Sequence, residues 1–369
     1  MKATCEREKL AHTFLMAASV AAARSSKPIL ENVKLEVGEK TATVMATDLE
    51  VGIRIDVPGF VVEAPGQVML PIKRVGLILR ESSSEKLSIS SDGGKTLIKG
   101  DRSEFQLPTQ NPDEFPVIEA FQAEAFHQLP ARFVREMIHR TAFATEAESS
   151  RYALGGVLVE LTANSITGVG TDGRRLARQE GPAESVGGHE TRQNTVLPTK
   201  ALQLMERALA DNEENVQIAS HENRVIVKSQ RTVITTQLVE GRYPKWHDVF
   251  PDESNMTSVE MVVGPFHSAV RQAAIVTTND RRGVDFTFSQ GRLTLAAHGA
   301  EMGESRVELP IPYDGAEIPI KLDPNYVSDF LRVLDPDQTF TLIMRDAESA
   351  VVCRTADGYA YVIMPLSRK

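Results

Sequence analysis

Apolar residues recur along this chain in two rhythms, one helical and one alternating, and the pair of rhythms comes round three times. In the first pass Leu10, Phe14, Ala17 and Ala21 share one face of a helical period, which predicts a helix over residues 6–23. Residues 29–37 and 42–48 read as strands, and Leu70–Pro71–Ile72–Lys73 opens a second helix striped by Val75, Ile78 and Leu79. Leu87–Ile89, a turn at Asp92–Gly93–Gly94 and Leu97–Leu107 predict closing strands.

The second pass begins with a helix over 131–143 that has Val134, Met137, Ile138 and Thr141 on one face. The stretch Arg151–Arg178 follows. In it Val157, Val159 and Leu161 alternate, Asn164–Ser165 turns, and Ile166–Gly170 returns. It ends in Thr171–Asp172–Gly173, a turn because Asp bonds its own backbone and Gly accepts positive φ. Arg174, Arg175 and Leu176 are therefore expected at a sheet margin near Leu154, as an apolar patch with a basic rim. Leu197–Pro198–Thr199–Lys200 opens a helix with Leu202, Met205 and Leu209 inward, and 216–240 predicts hairpin strands around His221–Glu222–Asn223. In the third pass 265–277 and 324–334 are the helices, the latter with Val327, Phe330, Leu331 and Leu334 on one face. Residues 284–297, 304–310 and 339–364 are its strands.

The second helices start near 71, 198 and 324, and Thr47–Asp48 stands where the next pass has Thr171–Asp172. Repeats that long are domains rather than solenoid units. They are expected at 1–120, 121–250 and 251–369, with Pro-rich polar linkers at 108–124 and 241–256. Two helices against antiparallel sheets in each domain make the fold class α+β.

Composition changes little: 41% apolar and 25% charged residues are ordinary for a globular protein. Cys5 and Cys353 match no metal or redox spacing, which points to a reducing compartment. Glu6 and Glu8 spoil a signal-peptide reading of Leu10–Ala23, and no apolar run reaches membrane-spanning length. Charge distribution matters more than the net charge of −9. Residues 6–24, 71–80, 131–145, 198–210, 265–282 and 323–335 together carry 15 Lys+Arg against 8 Asp+Glu, leaving 26 against 42 elsewhere. Basic helices on an acidic protein fit a lining that meets phosphates without reading bases. Charged residues that simply populate solvent faces would give the same count.

No catalytic motif emerges. Asp92–Gly93–Gly94–Lys95–Thr96 lacks the first glycine of a phosphate-binding loop, and the eight histidines are scattered. Asp48 and Asp172 read as matched turns rather than as a carboxylate pair. The rival readings are a monomeric three-domain peptide-binding scaffold and, behind it, a β-rich hydrolase using Asp172 and His247.

The motifs in order carry a resemblance. Ser26–Lys27–Pro28–Ile29–Leu30–Glu31–Asn32–Val33, Ala46–Thr47–Asp48–Leu49–Glu50, Arg151–Tyr152, Thr171–Asp172–Gly173–Arg174–Arg175–Leu176–Ala177 and Tyr361–Val362–Ile363–Met364–Pro365–Leu366 are similar to the bacterial sliding clamps, the beta subunit of DNA polymerase III. The resemblance covers the whole chain. It implies three clamp domains per subunit, a homodimer closed head to tail into a ring, and double-stranded DNA inside. It also implies no catalysis, no cofactor and no metal. The implied location is cytoplasmic, with no membrane. The implied partners are a clamp loader through its delta subunit, DNA polymerases including the replicative alpha subunit, and other proteins carrying clamp-binding motifs.

By resemblance, partner peptides bind a pocket of Leu154, Thr171, Gly173, Arg174, Arg175, Leu176, Pro244, Val249, Val362, Met364, Pro365 and Leu366. Asp248, Glu348 and Arg174 depart from the common pattern there, as does the tail Ser367–Arg368–Lys369. DNA contact falls to Arg24, Lys73, Arg80, Arg151, Tyr152, Lys200 and Arg207. At the subunit interface Phe105 and Leu107 meet Ile275 and Val276, and Lys73, Arg74 and Arg102 face Glu301 and Glu304. Glu104 departs from the pattern by standing where some clamps carry a basic residue.

Overall fold

In the computed structural model all six predicted helices are present: α1 Arg7–Ala18, α2 Ile72–Glu81, α3 Ala131–Thr141, α4 Thr199–Ala208, α5 Val263–Ala273 and α6 Pro324–Arg332. The structure describes residues 1–21, 25–92, 94–146, 153–190, 194–209, 214–278, 282–299 and 302–367. Each apolar stripe read from the sequence is the buried face. Val75, Ile78 and Leu79 of α2, Leu202 and Met205 of α4, and Val327, Phe330 and Leu331 of α6 are all in the core.

Two compact units form. The first comprises Met1–Arg132, Glu184–Glu190 and Lys200–Leu238, and the second Phe133–Ala183, Thr191–Thr199 and Val239–Lys369. The first unit holds a nine-stranded antiparallel sheet in the order Glu184–Val186, Phe126–Pro130, Asn215–His221, Arg224–Lys228, Thr232–Gln237, Val51–Asp56, Ala42–Thr47, Asn32–Val37, Gly66–Pro71. It also holds a five-stranded sheet ordered Val61–Ala64, Lys2–Glu6, Lys86–Ser91, Lys95–Lys99, Glu104–Pro108. The second unit repeats the plan. Its eight-stranded sheet runs Val196–Pro198, Gly156–Leu161, Ser165–Thr171, Arg175–Pro182, Tyr359–Ile363, Val351–Arg354, Thr339–Met344, Thr257–Val262. Its four-stranded sheet runs Gly303–Pro310, Arg292–Gly299, Val284–Ser289, Ile318–Leu322.

The compact units cut across the sequence repeats because strands of neighbouring repeats pair. Val51–Asp56 of the first repeat pairs with Thr232–Gln237 of the second, and Arg175–Pro182 of the second pairs with Tyr359–Ile363 of the third. In the second unit's larger core the Phe330 ring lies stacked on both Tyr359 and Tyr361, at centroid distances of 5.6 and 5.2 Å.

Several expectations are corrected. The helix predicted over 6–23 ends at Ala18, where the Ser19 hydroxyl donates to the Met16 carbonyl at 2.7 Å. Residues Lys2–Glu6, ahead of it, are a strand. The strand predicted over 29–37 begins only at Asn32; Pro28–Glu31 is a 3-10 turn, closed by the Asn32 amide donating to the carbonyls of Pro28 and Ile29. The helices predicted over 131–143 and 265–277 each finish in a 3-10 turn, at Ala142–Ala144 and Ala274–Val276. The segments read as linkers are anchored. Phe115 and Ile118 are buried against Met45 and Met69, and Tyr243 and Trp246 against Leu158, Val169, Leu176 and Val362. Their Pro-rich polar sequence hides one aromatic and one further apolar or aromatic plug apiece.

Candidate docking site

The Thr171–Arg175 turn is built by its own side chains. The Thr171 hydroxyl accepts from the Gly173 N–H at 3.1 Å and donates to the Arg175 carbonyl at 2.6 Å. Asp172 Oδ1 accepts from the N–H groups of Arg174 and Arg175 at 2.9 and 3.0 Å. Gly173 sits at φ 85°, where a side chain is strained. Asp172 is thus spent on the backbone and on Arg175 Nε at 3.0 Å, which removes the carboxylate a hydrolase would need. His247 instead stacks on Trp246, with ring centroids 3.6 Å apart.

The structure places the twelve expected pocket residues in one unit but in different layers. Leu154, Thr171, Leu176 and Val362 are buried, and Leu176 faces Val362 directly across the strand pair. Behind them lie Trp246, held by its Nε1 donating to Glu160 at 3.3 Å, and Tyr243, whose hydroxyl donates to the Val169 carbonyl at 2.7 Å. Val249 and Met364 stay 39% and 45% exposed, large apolar side chains in solvent. Pro244, Pro365 and Leu366 are partly covered. The chain end is tied down by Met364 N–H donating to the Arg174 carbonyl at 3.0 Å and Leu366 N–H to the Lys321 carbonyl at 2.8 Å.

Of the two arginines expected on the rim, only Arg174 is exposed. Arg175 turns inward and joins Asp172, Asp329 at 2.6 Å and the Phe143 carbonyl at 2.9 Å, with its guanidinium over the Tyr326 ring. Adjacent cations in sequence thus have opposite fates. One is a structural tie; the other stays at the surface, hydrogen-bonded to Tyr326 with Asp172 and Glu146 nearby.

The described residues expected to contact DNA, Lys73, Arg80, Lys200 and Arg207, all fall in the first unit. Lys73 is exposed on α2, Arg80 pairs with Glu81 at 2.8 Å, and Arg207 reaches the Ser19 hydroxyl at 3.5 Å. Lys200 is engaged by Asp48 of the first repeat's turn. Arg24, Arg151 and Tyr152 lie outside the described residues. Of the expected interface residues, Arg74 and Arg102 are exposed, and Phe105 and Leu107 are half-buried on the edge strand Glu104–Pro108. Ile275 is 72% exposed, Val276 packs partly into the core, and Glu304 pairs with His298 at 2.9 Å. Glu301 lies outside the described residues. Sequence reading missed the burial of His127 beside His189, with Nδ1 atoms 2.7 Å apart; sixty-odd residues separate them and only the fold unites them. No described group of His, Cys, Asp and Glu is arranged to hold a metal, and no described helix is long and apolar enough to cross a membrane.

The fold and site together define a class: a scaffold of three repeats whose sheets join edge to edge, with apolar residues displayed beside each Thr–Asp turn. Comparison with known proteins identifies the family within that class. Residues 1–119, 128–245 and 247–367 match the N-terminal, central and C-terminal domains of the DNA polymerase III beta subunit. The chain is 30% identical to the beta sliding clamps of Pseudomonas putida and Escherichia coli K12, over 99% of its own length and 100% of theirs. It superposes on the Pseudomonas aeruginosa sliding clamp, in a crystal structure with griselimycin bound, with a TM-score of 0.92 at 27% identity, covering 100% of this chain and 99% of that one. The Bacillus subtilis clamp shares the fold, with a TM-score of 0.92 at 22% identity and 100% coverage of both chains. The chain therefore belongs to the DNA polymerase III beta-subunit family, the beta sliding clamps, which are non-catalytic processivity factors that tether a DNA polymerase to its template.

Proposed function

We propose that two copies of this chain close head to tail into a ring around duplex DNA, and that the groove beside Thr171–Leu176 receives short apolar peptides of partner proteins. The observation that supports the ring is an open seam. Within the chain, one repeat joins the next through a strand pair, 51–56 with 232–237 and 175–182 with 359–363. By position in the repeat, Gly303–Pro310 and Glu104–Pro108 are the strands that remain for a third such seam. Both are sheet edges. A free edge is a template for another chain, and a head-to-tail contact that closes on itself forms a ring. A second copy would supply two such seams. Phe105 and Leu107 would then meet the exposed Ile275 and the partly buried Val276, with Lys73, Arg74 and Arg102 facing Glu301 and Glu304.

The DNA would be met by Arg24, Lys73, Arg80, Arg151, Tyr152, Lys200 and Arg207 through phosphates alone, so that the ring slides. The groove would take peptides of the replicative alpha subunit, of other polymerases and of the loader's delta subunit. Their apolar anchors would seat against Met364, Val249 and Pro244. Two free, buried thiols, Cys5 and Cys353, suit the reducing cytoplasm. Deleting Met364–Lys369 tests the groove. We expect polymerase stimulation on primed circular DNA to vanish while the dimer persists. Stimulation that survives the deletion rejects the groove.

A further inference from the structure

The first repeat carries a second groove built on the same frame as the first, with its chemistry inverted. The turn Thr47–Val51 repeats the turn Thr171–Arg175 bond for bond. The Thr47 hydroxyl accepts from Leu49 N–H and donates to the Val51 carbonyl, and Asp48 Oδ1 accepts from Glu50 and Val51 N–H. Gln237 N–H donates to the Glu50 carbonyl at 2.9 Å, as Met364 N–H does to Arg174. Phe115–Pro116 stands where Tyr243–Pro244 stands. Between these walls opens a cavity of about 140 Å³, room for one small side chain.

Side chains make the difference. Glu50 occupies the place of Arg174, Gly52 that of Leu176, Thr235 that of Val362 and Gln237 that of Met364. The apolar, basic-rimmed groove has become a polar, acidic one. Three observations point to a ligand. The Thr235 hydroxyl oxygen is shielded from solvent and has no hydrogen-bond partner among the described residues, whereas most buried polar atoms find one in protein or ordered water. Leu49 is held at φ 83°, where its second-repeat equivalent is glycine, and is 45% exposed; Val117 on the opposite wall is 92% exposed. Such backbone strain persists mainly where it serves a function. Glu50 and Glu119 line the cavity with one counter-cation, Arg224, which pairs with Glu119 at 2.7 Å.

We propose that this groove binds a short, extended basic peptide. A small apolar side chain would lie between Leu49 and Val117, a polar group would satisfy the Thr235 hydroxyl, and a lysine or arginine would face Glu50. The proposal goes beyond the reading of the Thr171–Leu176 groove and shares its backbone frame, not its ligand.

The test titrates the full-length protein with two fluorescein-labelled peptides at low salt, Gly-Ser-Val-Lys-Lys-Gly and Gly-Ser-Val-Glu-Glu-Gly, read by anisotropy. The basic peptide should bind and the acidic one should not compete with it. Glu50→Arg, an exposed substitution that leaves the fold alone, should weaken binding by about tenfold or more, and Thr235→Val by several-fold. Deleting Met364–Lys369 should leave it unchanged. No binding of the basic peptide, or indifference to Glu50→Arg, overturns the proposal. Loss of binding on the tail deletion assigns the peptide to the other groove and also overturns it, whereas failure of the partner-peptide reading would show only in polymerase stimulation.

Discussion

The turns Thr47–Val51 and Thr171–Arg175 are the same object made twice, with the same hydroxyl and carboxylate bonds and the same left-handed third residue, φ 83° and 85°. One presents Leu49, Glu50 and Val51, the other Gly173, Arg174 and Arg175. Backbone geometry is therefore the property of the repeat, set by Thr and Asp. What each seam holds and displays is set by the residues the repeat leaves free. Val51 simply enters the core, whereas Arg175 ties Asp172 to Asp329 of the third repeat. Removing each should separate the two seams.

The largest effect is expected from Arg175→Ala, which leaves the largely buried Asp172 without its ion-pair partner and Asp329 with only the exposed Arg332. It should cost about 3–5 kcal/mol. The single tryptophan, Trp246, is buried in the same unit, so its fluorescence in a urea titration reads that unit directly. Val51→Ala should cost only about 2 kcal/mol, through a cavity in the other unit, and barely move the Trp246 transition. Equal shifts from both variants would dissolve the contrast.

Acid should act on the first unit. His189 accepts the Ser220 N–H on Nε2 at 3.0 Å, and burial, with His127 and His221 nearby, holds its pKa below the usual 6.5. The unfolded state thus binds the proton more readily, so stability is complete above about pH 6.5 and falls as pH drops through and below it. Far-ultraviolet dichroism in urea at pH 7.5 and 5.5 should show a loss that His189→Gln reduces. A loss unchanged in the variant assigns the sensitivity elsewhere.

The smallest effect tests the strain. Leu49→Gly should raise stability by about 1 kcal/mol and Gly173→Leu should lower it by about as much, because only glycine takes that φ freely. Leu49→Gly that destabilises would mean that the exposed leucine packs well enough to offset its backbone.

The helices were legible because six stripes at helical spacing outlast local irregularity, and their period exposed the threefold repeat. Among the missed strands, Lys2–Glu6, Val51–Asp56, Val61–Ala64 and Gly66–Pro71 are short or interrupted by Gly52, Pro65 and Gly66, so alternation never accumulates. The sequence pattern offered only an apolar patch with a basic rim near Leu154; its reading as a docking groove came through resemblance. Leu176 and Val362 look like any core pair, and they are one; nothing in the chain's pattern says that Met364 ends exposed or that Arg175 turns inward. Those outcomes depend on contacts across more than a hundred residues, such as Arg175 with Asp329. The anchoring of the linkers was hidden for the same reason: Phe115, Ile118, Tyr243 and Trp246 find their partners only in the folded sheet.

The claim that matters most is that the open seam is closed by a second copy. Light scattering from micromolar to low nanomolar concentration tests it directly. For a chain of 40.5 kDa, the account predicts a species of twice that mass that persists on dilution. A 40.5 kDa monomer at micromolar concentration would contradict the ring and leave a single-chain peptide-binding scaffold in its place.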